Sequence, residues 1–550
     1  MSAVARRSRL VTLAGLALGP VLVLGIFFVL PVSGMLARGL WPDGSFDRGG
    51  VVDVLGRPRT GRVVWFTVWS ASAATAVAVL LGLPAAYALH RLEFPLRRVV
   101  RALLLVPFVL PTVVVGVAFR QLLGEAGPLG FLGLDGSAIA IVAGLVFFNV
   151  AVVIRTVGAA WETLDPRPGE AAAALGARPA QVFRTVTFPA LRPAIVSAAI
   201  VVFLFCATAF GVVLTLGGLR YSSVETEIYL LTTNLLDLPA AAALSIVQLV
   251  AVTLLLVLAG RLRAVPDATV SRVASHARRP RRSDAPQLAA TSLLLLLVAA
   301  PIATLVLGSL RVEGAWSLDN YRALQTTGSR QALLVPVTDA LGYSLRTAVD
   351  ASWMSLTMGL LVALVVTRRS HGRAERRLRG TLDGFFMLPL GVSAVTLGFG
   401  FLITLDRPPV DLRDSALLVP IAQALVALPL VVRTIVPVLA GIDDRQRQAA
   451  ASLGAGPLRT LMTVDLPVVW KPLLAAAGFA FAVSLGEFGA TSFLAREERP
   501  TVPVVIFRLI GHPGAMNYGM ALAASVVLAA TTATVMLAVE RLRIPSVGAF

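Results

Sequence analysis

The stretches Glu170-Ala-Ala-Ala-Ala-Leu-Gly176 and Gln448-Ala-Ala-Ala-Ser-Leu-Gly454 are two versions of one segment, 278 positions apart (448 − 170). Further along the chain, Phe188-Pro189 and Leu466-Pro467 are separated by the same distance. Self-similarity at a constant spacing indicates that a chain is built from structural repeats. We therefore predict that two parts of the chain are copies of one unit, namely residues of about 63–216 and 343–494.

The composition around these copies is that of a membrane protein. Of the 550 residues, 57% are hydrophobic and 14% are charged, whereas soluble domains hold about 45–50% apolar and about 25% charged residues. A helix that crosses a bilayer needs about 20 mostly apolar residues. We therefore expect an all-α, polytopic membrane protein of about twelve helices, at 11–37, 63–90, 99–123, 138–160, 193–216, 238–262, 288–310, 343–367, 380–405, 414–441, 472–494 and 515–540.

The arginines gather in alternate loops. They precede the first apolar stretch and recur in the loops after the second, fourth, sixth and eighth stretches. Basic loops mark the cytoplasmic side of a membrane protein, so we expect a multi-pass inner-membrane protein with both termini in the cytoplasm. The net charge of +18 follows from this arrangement, and aromatic residues are not interleaved with the arginines, so no nucleic-acid partner is expected.

The first hairpin departs from this charge pattern. The segment 38–62 is placed on the outer side, yet it holds five arginines against Asp43, Asp47 and Asp53. Residues 1–37 also allow two interpretations, a retained helix or a cleaved signal peptide. We favour the retained helix, because the apolar run is long and no clear Ala-x-Ala cleavage site follows it.

The two copies have the same orientation in the membrane, because an even number of crossings separates them. Such a parallel repeat has its two-fold axis along the membrane normal, and a solute path between the halves is the natural interpretation. We predict a first six-span half at 1–262, a basic linker at 263–287 and a second six-span half at 288–550. The linker contains three prolines and is expected to be a flexible cytoplasmic connector.

The duplicated motif resembles the EAA loop of ABC importer permeases: Glu-Ala-Ala, a glycine six residues after the acid, and a hydrophobic-Pro pair about a dozen residues later. The chain is similar to the fused, two-half permeases of the thiamine and ferric-iron type. This resemblance implies a type I importer fold with EAA loops at about 165–193 and 443–472. It further implies two copies of a separate ATPase subunit, a periplasmic or lipid-anchored solute-binding protein, and transport by rocking of the halves.

The resemblance places short coupling helices in both loops. The residues expected to contact the ATPase are Glu170, Ala171, Ala172, Gly176, Phe183, Pro189, Gln448, Ala449, Ala450, Gly454, Leu461 and Pro467. Alanine favours helix, and glycine supplies a turn that other residues resist. Pro189 is expected to stop the second short helix before the next span. Phe183 and Leu461 would be apolar anchors. Since Gln448 replaces the acid, we expect the two loops to bind their ATPases with unequal strength.

This chain is not expected to be an enzyme. A phosphate-binding P-loop needs Gly-Lys-Ser/Thr, and the single lysine of the chain, Lys471, is followed by Pro472. ATP and Mg²⁺ would therefore bind the partner ATPase, and we expect no cofactor on this chain. One cysteine, Cys206, and four scattered histidines also predict no metal site.

Several polar residues fall inside the apolar stretches and are candidates for lining the solute path: Asn149, Thr208, Gln423, Ser484 and Glu487. A carboxylate inside the membrane is costly unless it is paired or hydrated. Glu487 therefore allows two interpretations, a cation-attracting group on the path or a packing or gate residue hydrogen-bonded to a neighbouring span. We favour the second.

The solute is the least determined part of the prediction. The segment Val224-Glu-Thr-Glu-Ile-Tyr229 resembles the thiamine permeases, which suggests thiamine or a related cationic compound. Ferric iron carried by the same machinery remains the alternative. Two other classes of protein stay open: a twelve-span, ion-coupled secondary transporter, and a membrane component of protein export or assembly, which would normally expose larger soluble parts.

Overall fold

A computed structural model describes residues 15–41, 49–218, 220–262, 278–368, 372–407, 410–412 and 414–541. The α-helices as far as residue 262 are α1 Gly15–Leu40, α2 Gly49–Gly56, α3 Pro58–Arg91, α4 Arg97–Leu105, α5 Thr112–Leu123, α6 Ala138–Glu162, α7 Arg167–Ala174, α8 Pro179–Val182, α9 Phe188–Ala207, α10 Gly211–Gly217, α11 Val224–Thr233 and α12 Leu238–Leu262. A π-helical turn, Gly25–Val29, lies within α1.

The remaining α-helices are α13 Ala285–Ser309, α14 Asp319–Arg322, α15 Val337–Thr367, α16 Arg373–Phe386, α17 Ala394–Thr404, α18 Leu418–Ala440, α19 Asp444–Ser452, α20 Pro457–Thr460, α21 Leu466–Leu485, α22 Thr491–Leu494, α23 Val502–Gly511 and α24 Ala515–Arg541. Two small antiparallel pairs also occur: β1 Arg311–Val312 with β2 Ala315–Trp316, and β3 Asp406–Arg407 with β4 Val410–Asp411. The all-α prediction is confirmed.

Four of the predicted spans are divided between two helices, and two of these are divided around prolines. Among the described residues, ten helices are long and apolar enough to cross a membrane, and an eleventh is obtained if Arg97–Phe108 and Thr112–Leu123, bent by 106°, form one span. The break contains Pro107 and Pro111, and proline cannot donate a helical hydrogen bond. The predicted span 380–405 is likewise divided into α16 and α17 around Pro389.

The repeat is so regular that equivalent helices begin and end at equivalent residues. A shift of 278 relates α8 to α20, α9 to α21 and α11 to α23 at both ends of each helix. It also relates two π-helical turns, Phe183–Thr187 and Leu461–Asp465. Two copies of one sequence motif thus produce the same local backbone, which supports the predicted internal duplication.

The chain folds into two compact units, and each unit takes helices from both sequence halves. Of the described residues, one unit comprises those within 15–54, 228–249 and 321–541, and the other comprises those within 55–227 and 250–320. In the first, α1 packs on α17, and a side chain on Gly400 would collide with Pro31. In the second, α13 packs on α3 and α5. The halves 1–262 and 288–550 remain a prediction from the repeat.

Each unit is built around one close crossing of two long helices. In one, α3 crosses α6 where a Cβ on Gly82 would lie 2.7 Å from Cγ1 of Val153. In the other, α15 crosses α18 where a Cβ on Gly359 would lie 2.5 Å from Cγ1 of Val431. Small residues at such positions let helix backbones approach closely.

Part of the predicted flexible linker is held in place. Residues 263–277 lie outside the described part of the chain, but Arg278 donates its backbone N–H to the carbonyl of Arg91 over 3.0 Å. The Arg278 guanidinium also donates to both carboxylate oxygens of Asp284 and to the hydroxyl of Tyr87, and its hydrogen bonds to the Asp284 carboxylate raise the pKa of Arg278. The 278–284 end of the predicted linker is therefore hydrogen-bonded to α3, and the flexibility of the linker stays a prediction.

The arginine-rich segment 38–62 is explained in part by an ion pair. Arg59 donates to both carboxylate oxygens of the buried Glu227, at 2.5 and 3.1 Å. Because Arg59 is paired with an acid, its charge does not indicate on which side of the membrane the segment lies. Sequence could not show this, because the two residues are 168 positions apart.

Candidate functional site

The two motif segments fold alike. In each, a short helix (α7 or α19) ends in a turn at a glycine in the left-handed region, with φ of +86° at Gly176 and +81° at Gly454. The second short helix begins at a proline, Pro179 or Pro457, which suits a first helical turn. Both glycines adopt the turn that sequence predicted for them.

Both segments also begin alike. Asp165 accepts a hydrogen bond from the backbone N–H of Arg167 over 3.0 Å, and Asp443 accepts one from Arg445 over 2.9 Å. Such carboxylates satisfy backbone donors at a helix start and interact well with its dipole. Each segment is therefore a defined helix, turn and helix.

The predicted motif residues form the outer surface of these segments. Glu170, Ala171, Gln448 and Ala449 are exposed, and Ala172 and Ala450 are half-buried. Two leucines that sequence analysis did not select are the most protruding apolar side chains: Leu175 is 90% exposed and Leu453 is 87% exposed. Each directly precedes the turn glycine, so their place in the duplicated motif was an available signal.

The predicted anchors Phe183 and Leu461 differ. Both lie in π-helical turns. The Phe183 side chain is 40% exposed, with its ring 6.2 Å from that of Phe188, whereas Leu461 is half-buried against the chain's own core.

The prediction that Pro189 stops a helix is wrong. Pro189 and the equivalent Pro467, both exposed, sit in the first turn of α9 and α21, and the helix runs into each of them directly from the π-helical turn before it. The physical reason is the π-helical turn before each proline. It changes the hydrogen-bond pattern at this point, so the helix continues without the N–H group that proline lacks.

Charged residues link the first short helix of a motif segment to the end of a long helix, more strongly in the second copy. In the first copy, Glu170 has a weak electrostatic interaction with Arg91, the last residue of α3. In the second copy, Asp465 accepts from Nε of Arg447 over 2.8 Å and from Nη2 of Arg368 over 2.6 Å. Arg447 belongs to α19, and Arg368 directly follows α15.

The candidate path residues are mostly buried among helices. Asn149 donates to the carbonyl of Leu145 and to Sγ of Cys206, at 3.0 and 3.3 Å. Thr208 is half-buried and donates to Leu204. Gln423 and Ser484 are buried, and Oε1 of Gln423 and Oγ of Ser484 have no hydrogen-bond partner among the described residues. Their role on a path stays a prediction.

Glu487 caps a short helix in its own segment. Its carboxylate accepts from the backbone N–H groups of Ala490 and Thr491, at 2.7 and 3.0 Å, at the start of α22. The side chain is 6% exposed. These hydrogen bonds lie within four positions of Glu487 and do not join it to a neighbouring span as we expected. Its role, on the path or in packing, stays a prediction.

Comparison with known families decides the assignment. The family model for the inner membrane component of binding-protein-dependent transport systems matches twice, at residues 78–268 and 355–543. The chain belongs to this family. The permease is therefore a multi-pass inner-membrane protein, and the double match confirms the internal repeat. It also favours this class over an ion-coupled secondary transporter.

Full-length relatives of the permease have the same fused form. It is 28% identical to a thiamine transport system permease protein of Brucella abortus over 92% of both chains. A thiamine transport system permease protein of Escherichia coli is 28% identical over 82% of this chain and 83% of its own. A ferric transport system permease protein of Actinobacillus pleuropneumoniae is 23% identical over 92% of this chain and 75% of its own.

Proposed function

We propose that this permease imports thiamine, or a closely related cationic compound, using ATP hydrolysed by two copies of a separate ABC ATPase. The ATPases dock on the segments α7–α8 and α19–α20, which face the cytoplasm together with both termini. A periplasmic or lipid-anchored binding protein delivers the solute. ATP and Mg²⁺ bind the ATPase, and this chain binds no cofactor.

One observation carries the docking proposal. Leu175 and Leu453 project almost fully into solvent from equivalent turns, 90% and 87% exposed. An apolar side chain that leaves water when a partner binds contributes favourably to the interface, and burying a leucine is worth about 1.5–3 kcal/mol. The repeat supplies two such sites, which suits two identical partners.

Capture of the ATPase tests the docking proposal. The permease, co-expressed with the ABC ATPase of its transport system, should retain that subunit during purification. Leu175→Asp and Leu453→Asp should each reduce the ATPase retained. Leu236→Asp is the matched control, because this leucine is also 74% exposed but lies outside both segments. Ion-driven uptake by the permease alone in liposomes would refute the proposal.

The relatives support thiamine as the solute. The Brucella and Escherichia proteins named as thiamine permeases are more similar to this chain than the ferric permease is, 28% against 23% identity. Ferric iron is the second candidate, because that relative also matches 92% of this chain. Proteoliposomes with the ATPase and binding protein should take up labelled thiamine when ATP is supplied. Uptake of ferric iron without thiamine would select the alternative.

A further inference from the structure

The two copies of the motif differ in where their acid lies. The first copy carries Glu170, whereas the second has Gln448 at the equivalent position. If the acid were simply lost, the second-copy arginine equivalent to Arg91 would have no acid to interact with. The structure does place an acid beside that arginine, but at a different position in the motif segment.

The equivalence of the arginines follows from the helix crossings. Gly82 meets Val153 and Gly359 meets Val431 in the same way, so these glycines occupy matching positions in α3 and α15. Arg91 lies nine residues after Gly82, and Arg368 lies nine residues after Gly359. Arg91 and Arg368 therefore occupy the same place at the end of the long helix.

Asp465 is the acid that faces Arg368. Its side chain is fully buried, and it accepts hydrogen bonds from Nη2 of Arg368 over 2.6 Å and from Nε of Arg447 over 2.8 Å. Arg447 also donates to Oδ1 of Asp444 and to the carbonyl of Leu439, both over 3.0 Å. One carboxylate thus joins α19, the π-helical turn and the end of α15.

The first copy lacks the parts for this arrangement. Gly169 stands at the position equivalent to Arg447, and Thr187 stands at the position equivalent to Asp465. Each copy therefore has an acid that acts on the equivalent arginine, weakly through Glu170 and by hydrogen bonds through Asp465. The first places the acid on its exposed short helix, and the second places it seventeen residues later on a buried turn.

We propose that Asp465 replaces the motif carboxylate of the second copy, as a positioning residue that holds α19 against the end of α15. This proposal rests on the proposed function, in which α19 receives the ATPase. Removing one member of a buried ion pair leaves the other charge uncompensated, and here two guanidinium groups would face each other. The segment α19 would then move more freely and transmit less of the ATPase motion.

The mobility of α19 can be measured independently of transport. Cys206, the single cysteine of the chain, is 2% exposed, so a spin label on Leu453→Cys or Leu175→Cys reports one segment. In the full-length permease, Asp465→Asn should raise label mobility at position 453 and leave position 175 unchanged. Gln448→Glu should restore low mobility, because it returns the acid to the place used in the first copy.

Transport supplies the second readout. In the assembled transporter, Asp465→Asn should lower solute uptake per ATP hydrolysed by roughly 2- to 30-fold, the usual range for residues that modulate coupling. Asp465→Asn with Gln448→Glu should recover most of this loss. The mirrored pair in the first copy is Glu170→Gln, which should lower coupling, and Glu170→Gln with Thr187→Asp, which should recover it.

The outcomes separate this inference from the proposed function. Unchanged mobility at position 453 in Asp465→Asn, or failure of Gln448→Glu to restore it, overturns the inference whether or not the ATPase binds. If the wild type retains no ATPase, the proposed function fails, while the mobility result still decides the role of Asp465. If Asp465→Asn does not fold, Arg447→Gln, which keeps the pair with Arg368, must give the same increase in mobility.

Discussion

Val502 donates its backbone N–H to the hydroxyl of Ser344 over 2.8 Å, across 158 positions of sequence. In the other copy, Val224 donates to Thr67 over 3.0 Å. In each case a hydroxyl on a long helix, α15 or α3, accepts a hydrogen bond from the first turn of a short helix, α23 or α11. All four groups are buried, so no water substitutes for the missing partner.

Thr67→Val should therefore destabilise the permease although it keeps the shape of the side chain. An unsatisfied buried N–H costs about 1–3 kcal/mol, and we expect thermal unfolding in detergent to begin at a correspondingly lower temperature. Thr75→Val is the control, because the Thr75 hydroxyl donates only to the carbonyl of Ala71 within the same helix. Equal losses in the two variants would contradict the prediction.

The turn glycines should tolerate asparagine but not valine. A Cβ on Gly176 or Gly454 would meet no atom within 4 Å, so only the positive φ restricts these positions. The left-handed conformation costs ordinary residues roughly 1–2 kcal/mol, and asparagine adopts it more readily. ATPase retention should fall in Gly176→Val and persist in Gly176→Asn.

Gly380 provides the control for this pair, since it has equally open surroundings but ordinary helical backbone. Gly380→Val should leave ATPase retention unchanged. Equal retention by Gly176→Val and Gly176→Asn would show that the turn geometry does not matter.

Gly82→Ala should weaken the crossing of α3 and α6, because the new methyl group would press on Val153. Overpacking of this kind costs typically about 1–3 kcal/mol. Val153→Ala in the same chain should recover most of the loss by making room. Gly61→Ala, in the same helix but with open surroundings, should be neutral or stabilising, since alanine favours helix by about 0.5–1 kcal/mol. Thermal unfolding of these three variants and the wild type checks the order.

Asp284→Asn should release the end of the linker. The buried carboxylate accepts from Arg278, from Tyr87 and from the backbone N–H of Arg281, and hydrogen bonds to charged groups contribute about 1.5–3 kcal/mol. Hydrogen exchange at 278–284 should become faster. Tyr87→Phe removes a smaller part of the network and should give a smaller change. No change in either variant would mean that this contact does not hold the linker.

The repeat could be predicted from sequence because it depends on local patterns. The constant shift of 278 located both motif segments, and the turn glycines followed from the conformation that glycine permits. Apolar runs located the long helices well, but not the breaks at Pro111 and Pro389, where the run of hydrophobic residues continues through the interruption.

Long-range pairs were beyond sequence analysis. Nothing local indicates that Arg59 meets Glu227, or that Asp465, eighteen residues from Arg447, is buried between two arginines. The substitution at Gln448 was therefore interpreted as a lost charge. The exposure of Leu175 and Leu453 depends on the backbone turn at the glycine that follows each of them.

The packing of α1 on α17 has a consequence for biosynthesis. Gly400, which lies against Pro31, follows it by 369 positions. At the usual ribosomal rate of about 5–20 residues per second, the first helix enters the bilayer roughly 20–70 seconds before its partner is made. During that interval its contact surface must be covered by lipid or by the insertion machinery, so a truncated chain that stops before α17 would leave α1 without the neighbour it packs on.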